Sequence, residues 1–501
     1  MSSAHRPAGR DARERVRAWL PTAATLAAAL AAAALLRAWI AARPPLPAVR
    51  APTAEGSLAE AYRAGLSATP SAVRAGTVDL SGVFRAFPGA PAPRPSADWP
   101  CFRGPRRDNI APDDPALAVA WPTNGPPVLW TTAMGEGHAA AAVRAGRVYV
   151  LDYDEARGGD RLRCLDLATG DPVWERFYAI RHKRNHGISR TIPAVSDDGI
   201  VTVGPQCHVL CVAAADGAFR WGLDLVRQYD MKDAPLWYTG QCPLLDNGEV
   251  VLAPGSKALM IGVEVASGRV KWETPNPDQW RMSHASIMTM TVDGVRQFVY
   301  PAAGGVAGVA ADGPERGRLL WTTTAFAPSV VAPSAVPLPD GRFFLTAGYG
   351  AGGAMLRVAR SNGAWRADVL FRTDRRTFAC EQQTPVLRDG LLYGVLPADA
   401  GDHRGEFVCL APDGARRWTS GAEHRFGLGP FLAVGPQRFL LLSDKGVLTF
   451  AQADAGGFRV LARADVMGGQ GRDAWGPLAL VDGRLLLRDL TRMRCLDLRA
   501  K

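Results

Sequence analysis

From about residue 141 onward, short apolar stretches alternate with Gly/Asp turns in a pattern that repeats. Each unit opens on a Pro or small residue and an apolar stretch. A Gly turn and a further strand follow, then a turn ending x-G-x-x-x-W. The clearest endings are LDLATGDPVW (165–174), VAAADGAFRW (212–221) and VEVASGRVKW (263–272). Weaker ones are PERGRLLW (314–321), RSNGAW (360–365) and APDGARRW (411–418). Successive tryptophans lie 47, 51, 49, 44 and 53 residues apart, a drift expected of variable loops. Front halves match as well, as in AAVRAGRVYVLD from Ala141 and PAVSDDGIVTVG from Pro193. Period-2 alternation broken by Gly turns predicts about four short strands per unit, which is a propeller blade. The Gly permits a tight turn, and the Trp is a flat plate whose burial contributes a few kcal/mol.

The units predict the closure of the ring. Six blades end at Trp174, Trp221, Trp272, Trp321, Trp365 and Trp418. A degenerate seventh covers about 428–465 without a Trp. The eighth starts near Trp475 and stops at CLDLRAK, lacking its last strand. GPPVLW (125–130) precedes the first full blade and can supply that strand, leaving no open edge. The expected fold is therefore an all-β, eight-bladed β-propeller, with seven blades as the alternative count.

A different pattern opens the chain. Residues 18–36 form an uncharged run rich in Ala and Leu, long enough as a helix to span about 28 Å. Trp19 and Trp39 suit the two interfaces, and Arg10, Arg13, Arg15 and Arg17 precede the run. The positive-inside rule then predicts one N-terminal transmembrane helix, with the N-terminus cytoplasmic and the rest periplasmic. A cleaved signal peptide is the alternative; both export the remainder. The expected division is a basic segment (1–17), an anchor (18–42), a Pro-rich linker (43–97) and the propeller (98–501). Some 17 residues before the anchor would leave no room for a cytoplasmic catalytic domain.

Charge adds little. The chain's net charge is +10, but residues 1–50 hold eight Arg against Asp11 and Glu14. An excess concentrated at one end does not argue for a nucleic-acid partner.

The blade endings resemble the tryptophan-docking motif of the PQQ-like repeat family, the eight-bladed quinoprotein-type propellers. DWPCFRGPRRDN (98–109) resembles the W-P-x-F-R-G-P opening of exported members, and GEGHAAAAVRAGRVYVLD (135–152) continues the likeness. The resemblance covers residues 98–501. It implies one of two roles: a binding or scaffold module of the bacterial envelope, or a PQQ-dependent alcohol or sugar dehydrogenase. The dehydrogenase branch implies PQQ with calcium, an Asp base, a Trp floor and, usually, an adjacent-cysteine disulfide. The sequence has no Cys-Cys pair and no C-x-x-C-H haem site.

Several side chains are candidates for chemistry. Cys164, Cys211, Cys409 and Cys495 occupy one repeated slot before the Gly turn, which marks small core residues. Cys101, Cys242 and Cys380 lie outside that slot, open either to pairing or to lining the centre. No His spacing indicates a zinc site. RHKRNHGISR (181–190) is a basic interblade loop, open to solvent or to an anion. Propeller ligands bind where the inner strands enter the central funnel. Reading those entries gives His138, Arg190, Gln241, His284, Glu381, Gln382, Arg425 and Trp475 as cofactor- or ligand-binding candidates. Arg190 and Arg425 would suit the carboxylates of a ligand such as PQQ. Asp152 and Asp489 follow strands and are candidate bases. The partners expected are envelope proteins or a small ligand in the funnel.

Overall fold

The computed structural model describes residues 25, 29–35, 37, 77–88, 97–111, 117–232 and 234–500. Contacts divide the chain into residues 1–57 and residues 58–501. Within the first unit, residues 25, 29–35 and 37 are helical. Among the described residues no helix is long and apolar enough to cross a membrane. Most of the anchor expected at 18–42, and all of segment 1–17, lie outside the described residues.

In the second unit, the described residues form eight antiparallel sheets. Blade 1 contains Ala142–Arg144, Arg147–Asp154, Gly159–Asp166 and Pro172–Ala179. Blades 2 to 7 span 194–224, 244–275, 288–323, 336–373, 386–419 and 431–465. Blade 8 takes Ala479–Val481, Arg484–Arg488 and Arg492–Asp497. Its fourth strand is Val128–Ala133, which pairs antiparallel with Arg492–Asp497 and sets Trp130 opposite Cys495. The ring is therefore closed by two distant parts of the chain, and the expected count of eight is the observed one. First strands touch between blades 8 and 1, 1 and 2, 2 and 3, and 4 and 5.

Local sequence explains the blade. The first two strands of blades 3, 4, 6 and 8 meet at Asn247-Gly248, Asp293-Gly294, Asp389-Gly390 and Asp482-Gly483. Both residues of each pair have positive φ, the demand of the two-residue hairpin turn. Outer strands carry one register break, and the docking aromatic follows it. Trp174, Trp221 and Trp418 then face Cys164, Cys211 and Cys409, while Trp272 and Trp321 face Gly262 and Gly308. A bulky ring requires a small residue opposite it, which accounts for the repeated cysteine slot. All eight cysteines are free and buried.

Blade 5 departs from expectation. Its docking slot, opposite Met355, holds Phe371. Trp365 instead pairs with Arg360 beside an Asn362-Gly363 hairpin turn. This blade's last two strands are each ten residues long, so the G-x-W sequence falls at the hairpin tip. Blade 7 has Ala462 in the slot. Trp121, from the segment leading into blade 8, stacks on Phe450 there, with ring centroids 6.2 Å apart. Within the stretch read as linker, Val83–Ala86 adds a fifth strand to the outer edge of blade 1.

Candidate functional site

Residues 98–111 run across the inner strands and bond to five blades. Trp99 pairs with Val143 of blade 1, and Val195 of blade 2 donates its N–H to Pro100 O at 2.9 Å. Arg107 donates to Leu245 O of blade 3 at 2.6 Å. Asn109 Nδ2 donates to Phe431 O of blade 7 at 2.6 Å. Arg103 is fully buried and donates to Thr384 O and Pro385 O beside blade 6, and to Arg107 O and Asp108 O of its own segment. Its charge is thus met by carbonyl oxygens, and burial lowers its pKa to about 10. This segment plugs the axis.

Above the plug lies a cavity of about 140 Å³, and Phe102 of the plug contributes to its wall. Six of the eight funnel candidates line it: His138, Arg190, His284, Glu381, Gln382 and Trp475. Gln241 does not. It is fully buried, bonding Ala253 through both amide atoms and Tyr300 Oη at 3.1 Å. Arg425 does not either; it donates to Asp402 O at 2.6 Å and lies 3.9 Å from Glu406. Asp152 and Asp489 are ion-paired with Arg161 and Arg492, at 2.8 and 2.7 Å, and are not free bases.

Alternation explains the Gln241 misplacement. At four of the entries residues face the cavity at every second position, whereas at blade 6 Glu381, Gln382, Gln383 and Thr384 all line it. Arg190 and Ile192, Gly240 and Cys242, His284 and Ser286, and Trp475 and Pro477 all line it in this way. Gln241 falls between two lining positions. Cys242 lines the cavity, and burial pushes its thiol up to about 12. Trp237, Tyr349 and Gln383 were not legible by the entry rule; Trp237 lies in the loop between blades 2 and 3, and Tyr349 in the turn between the second and third strands of blade 5.

The polar groups here are unusually constrained. Arg190 Nε donates to Trp237 O at 2.5 Å, and Nη2 donates to His186 O at 2.8 Å. Among the described residues no carboxylate pairs with it. Its burial lowers its pKa to about 10. His138 is 6% exposed, with Nε2 3.0 Å from His186 O and its ring 5.0 Å from that of Trp475. Burial, then the charges of Arg190 and Arg488, lower its pKa to about 3. His284 is lowered to about 4 by burial and by Arg190. Both imidazoles are therefore neutral at pH 7. Burial, with Asp399 and Asp444 nearby, raises Glu381. The Trp237 ring stacks between His284 (6.2 Å) and Tyr349 (6.1 Å).

In the basic loop 181–190, His182 is buried against Asp160 at 2.8 Å, and Arg184 pairs with Glu136.

PQQ with calcium does not fit these residues. The cavity matches the size that holds a single benzene-like ring, whereas PQQ is a tricyclic tricarboxylate. One guanidinium is present, not two. Among the described residues no three His, Cys, Asp or Glu side chains cluster as metal ligands.

A family model described as "Outer membrane protein assembly factor BamB" matches residues 158–420. Among solved structures, a europium-containing methanol dehydrogenase has a TM-score of 0.56 at 11% identity, covering 78% of this chain and 89% of that one. BamB from Moraxella catarrhalis has a TM-score of 0.49 at 12% identity, covering 74% of this chain and 99% of that one. At such identities the likeness is one of fold. No curated protein sequence matches the chain.

Proposed function

The chain belongs to the family described as outer membrane protein assembly factor BamB, and from that premise we propose that it is a binding and scaffold propeller of the bacterial envelope. In this reading residues 18–42 tether it to the inner membrane, the N-terminus is cytoplasmic and the propeller is periplasmic. The observation that carries the reading is the plug. Residues 98–111 tie five blades together across the axis, so the ring is a rigid platform with its cavity walled by Phe102. A platform of this kind offers fixed loops to a partner at little entropic cost.

The dehydrogenase alternative makes a separate demand. It needs a quinone-sized, multiply cationic pocket with a cation beside it, and the lining residues do not supply these.

The test uses the full chain in detergent. It is titrated with PQQ, with and without calcium, following quinone absorbance and melting temperature. In parallel, photo-crosslinkers at rim positions are activated in intact cells. The scaffold reading expects no calcium-dependent stabilisation and a discrete envelope-protein adduct that depends on crosslinker position. Saturable PQQ binding that raises the melting temperature only with calcium would overturn it.

A further inference from the structure

The cavity walled by Trp237 holds one cation, the half-buried Arg190, and the carboxyl group in the wall, Glu381, is not paired with it but accepts from Ala398 N at 3.3 Å. The Arg190 guanidinium spends Nε and Nη2 on backbone carbonyls, and among the described residues no carboxylate pairs with it. Both neighbouring histidines are neutral, so nothing else in the cavity carries positive charge at pH 7. A half-buried guanidinium without an ion-pair partner has lost part of its hydration, and an incoming carboxylate would replace it with a charge-assisted hydrogen bond.

A second observation is independent of charge. Trp237, Tyr238 and Tyr349 have φ of 63, 72 and 57°. Bulky residues seldom adopt this left-handed region, at a cost of order 1 kcal/mol or more each. Strain of this kind persists where the fold needs a side chain in a particular place. Here it puts the Trp237 ring between His284 and Tyr349, as a flat wall of the cavity. Arg190 Nε–H holds the carbonyl of that same Trp237. The cation and the aromatic plate are thus one unit.

We propose that this cavity binds the monocarboxylate of a ligand with a single aromatic ring, the carboxylate on Arg190 and the ring against Trp237. The ring matches a volume of about 140 Å³. This deepens the scaffold reading, because the same chemistry arises from two sources: a free arylalkanoic acid, or the aromatic C-terminal residue of a partner chain.

The test titrates the full chain with phenylacetate, phenylacetamide, Gly-Gly-Phe and Gly-Gly-Phe-amide by calorimetry. Saturable binding of either acid is expected, with its amide at least about tenfold weaker. Tighter binding of phenylacetate identifies a free acid as the source; tighter binding of the peptide identifies a chain terminus. Arg190→Gln should remove the difference between acid and amide. Ala332→Leu fills the cavity without touching a charge and should abolish binding of both acids. If Arg190→Gln fails to fold, the acid–amide comparison and Ala332→Leu still decide. No binding of either acid, equal binding of acid and amide, or binding indifferent to Ala332→Leu would overturn the proposal. The titration contains no partner protein, so its failure leaves the crosslinking result intact, and the reverse.

Discussion

Trp130 lies flat over Gly170, and a Cβ added at Gly170 would come within 2.6 Å of its ring. The indole Nε1–H donates to Leu167 O at 2.9 Å. Trp130 belongs to the strand that completes blade 8, and Gly170 to the outer turn of blade 1. One ring thus fastens the closing strand to the next blade. Gly170 also has φ of 75°, so a side chain is penalised by conformation as well as by space. Gly170→Ala should cost about 1–3 kcal/mol. Trp130→Ala should cost about 3–5 kcal/mol, because it leaves a cavity at the ring's seam. Urea unfolding midpoints of the two variants check both.

The docking slot of blade 5 tests how the blades are read. Phe371 approaches Gly414 of blade 6 in the manner of Trp130 over Gly170, with a Cβ–ring distance of 2.9 Å. It also restores the spacing, lying 50 residues after Trp321 and 47 before Trp418. Trp365 sits at a hairpin tip, under the Arg360 guanidinium. Phe371→Ala should therefore cost about 2–4 kcal/mol, and Trp365→Ala no more than about 1 kcal/mol. The reverse order in thermal unfolding would contradict the assigned register.

These two tryptophans show what the sequence carries. Blade number and ring closure were legible because the Gly-x-x-x-Trp turn sets a ring against a glycine of the neighbouring blade, and that constraint recurs. Trp365 misled because Asn362-Gly363 is a hairpin turn with the same local spelling as a docking turn. Pairing partners distinguish the two, and those are non-local. The cavity was partly legible for a similar reason. Strand entries are fixed by the repeat, so His138, Arg190, His284, Glu381, Gln382 and Trp475 came together. Trp237 belongs to an interblade loop and Tyr349 to the far turn of a blade 5 hairpin, neither of which is a strand entry.

The plug makes a prediction of its own. Arg103 satisfies four backbone carbonyls, two of them on the approach to blade 6. Arg103→Met keeps much of the volume but strands those acceptors without donors. The expected cost is about 3–5 kcal/mol, the range for removing one member of a buried charged network. Hydrogen exchange should show where it is felt. Faster exchange is expected at the N–H groups of Asn109 and Ala433, with little change in the blade 4 strands far along the chain. Unchanged stability would mean that the plug is held by its other contacts, those of Trp99, Pro100, Arg107 and Asn109.

The cavity histidines set a pH dependence. His138 and His284 hold folded pKa values near 3 and 4, against about 6.5 in an unfolded chain. Between those values the unfolded state binds protons that the folded state refuses. Stability is therefore intact above pH 6.5 and falls as pH drops toward 4, by up to about 1.4 kcal/mol per pH unit for each histidine. The charges around His138 are Arg190 and Arg488, with the carbonyls of His186 and Asp473, so no carboxylate offsets its protonation. Glu381 acts in the opposite sense. Its folded pKa lies above 4.5, so the folded state keeps a proton the unfolded state has lost, and that contribution fades as pH rises. His138→Gln should flatten the melting-temperature profile between pH 6.5 and 4.5, and Glu381→Gln should steepen it. Calorimetric scans across that window read both. Identical slopes in the wild type and His138→Gln would show that folding does not displace the His138 pKa, contrary to its burial beside Arg190 and Arg488.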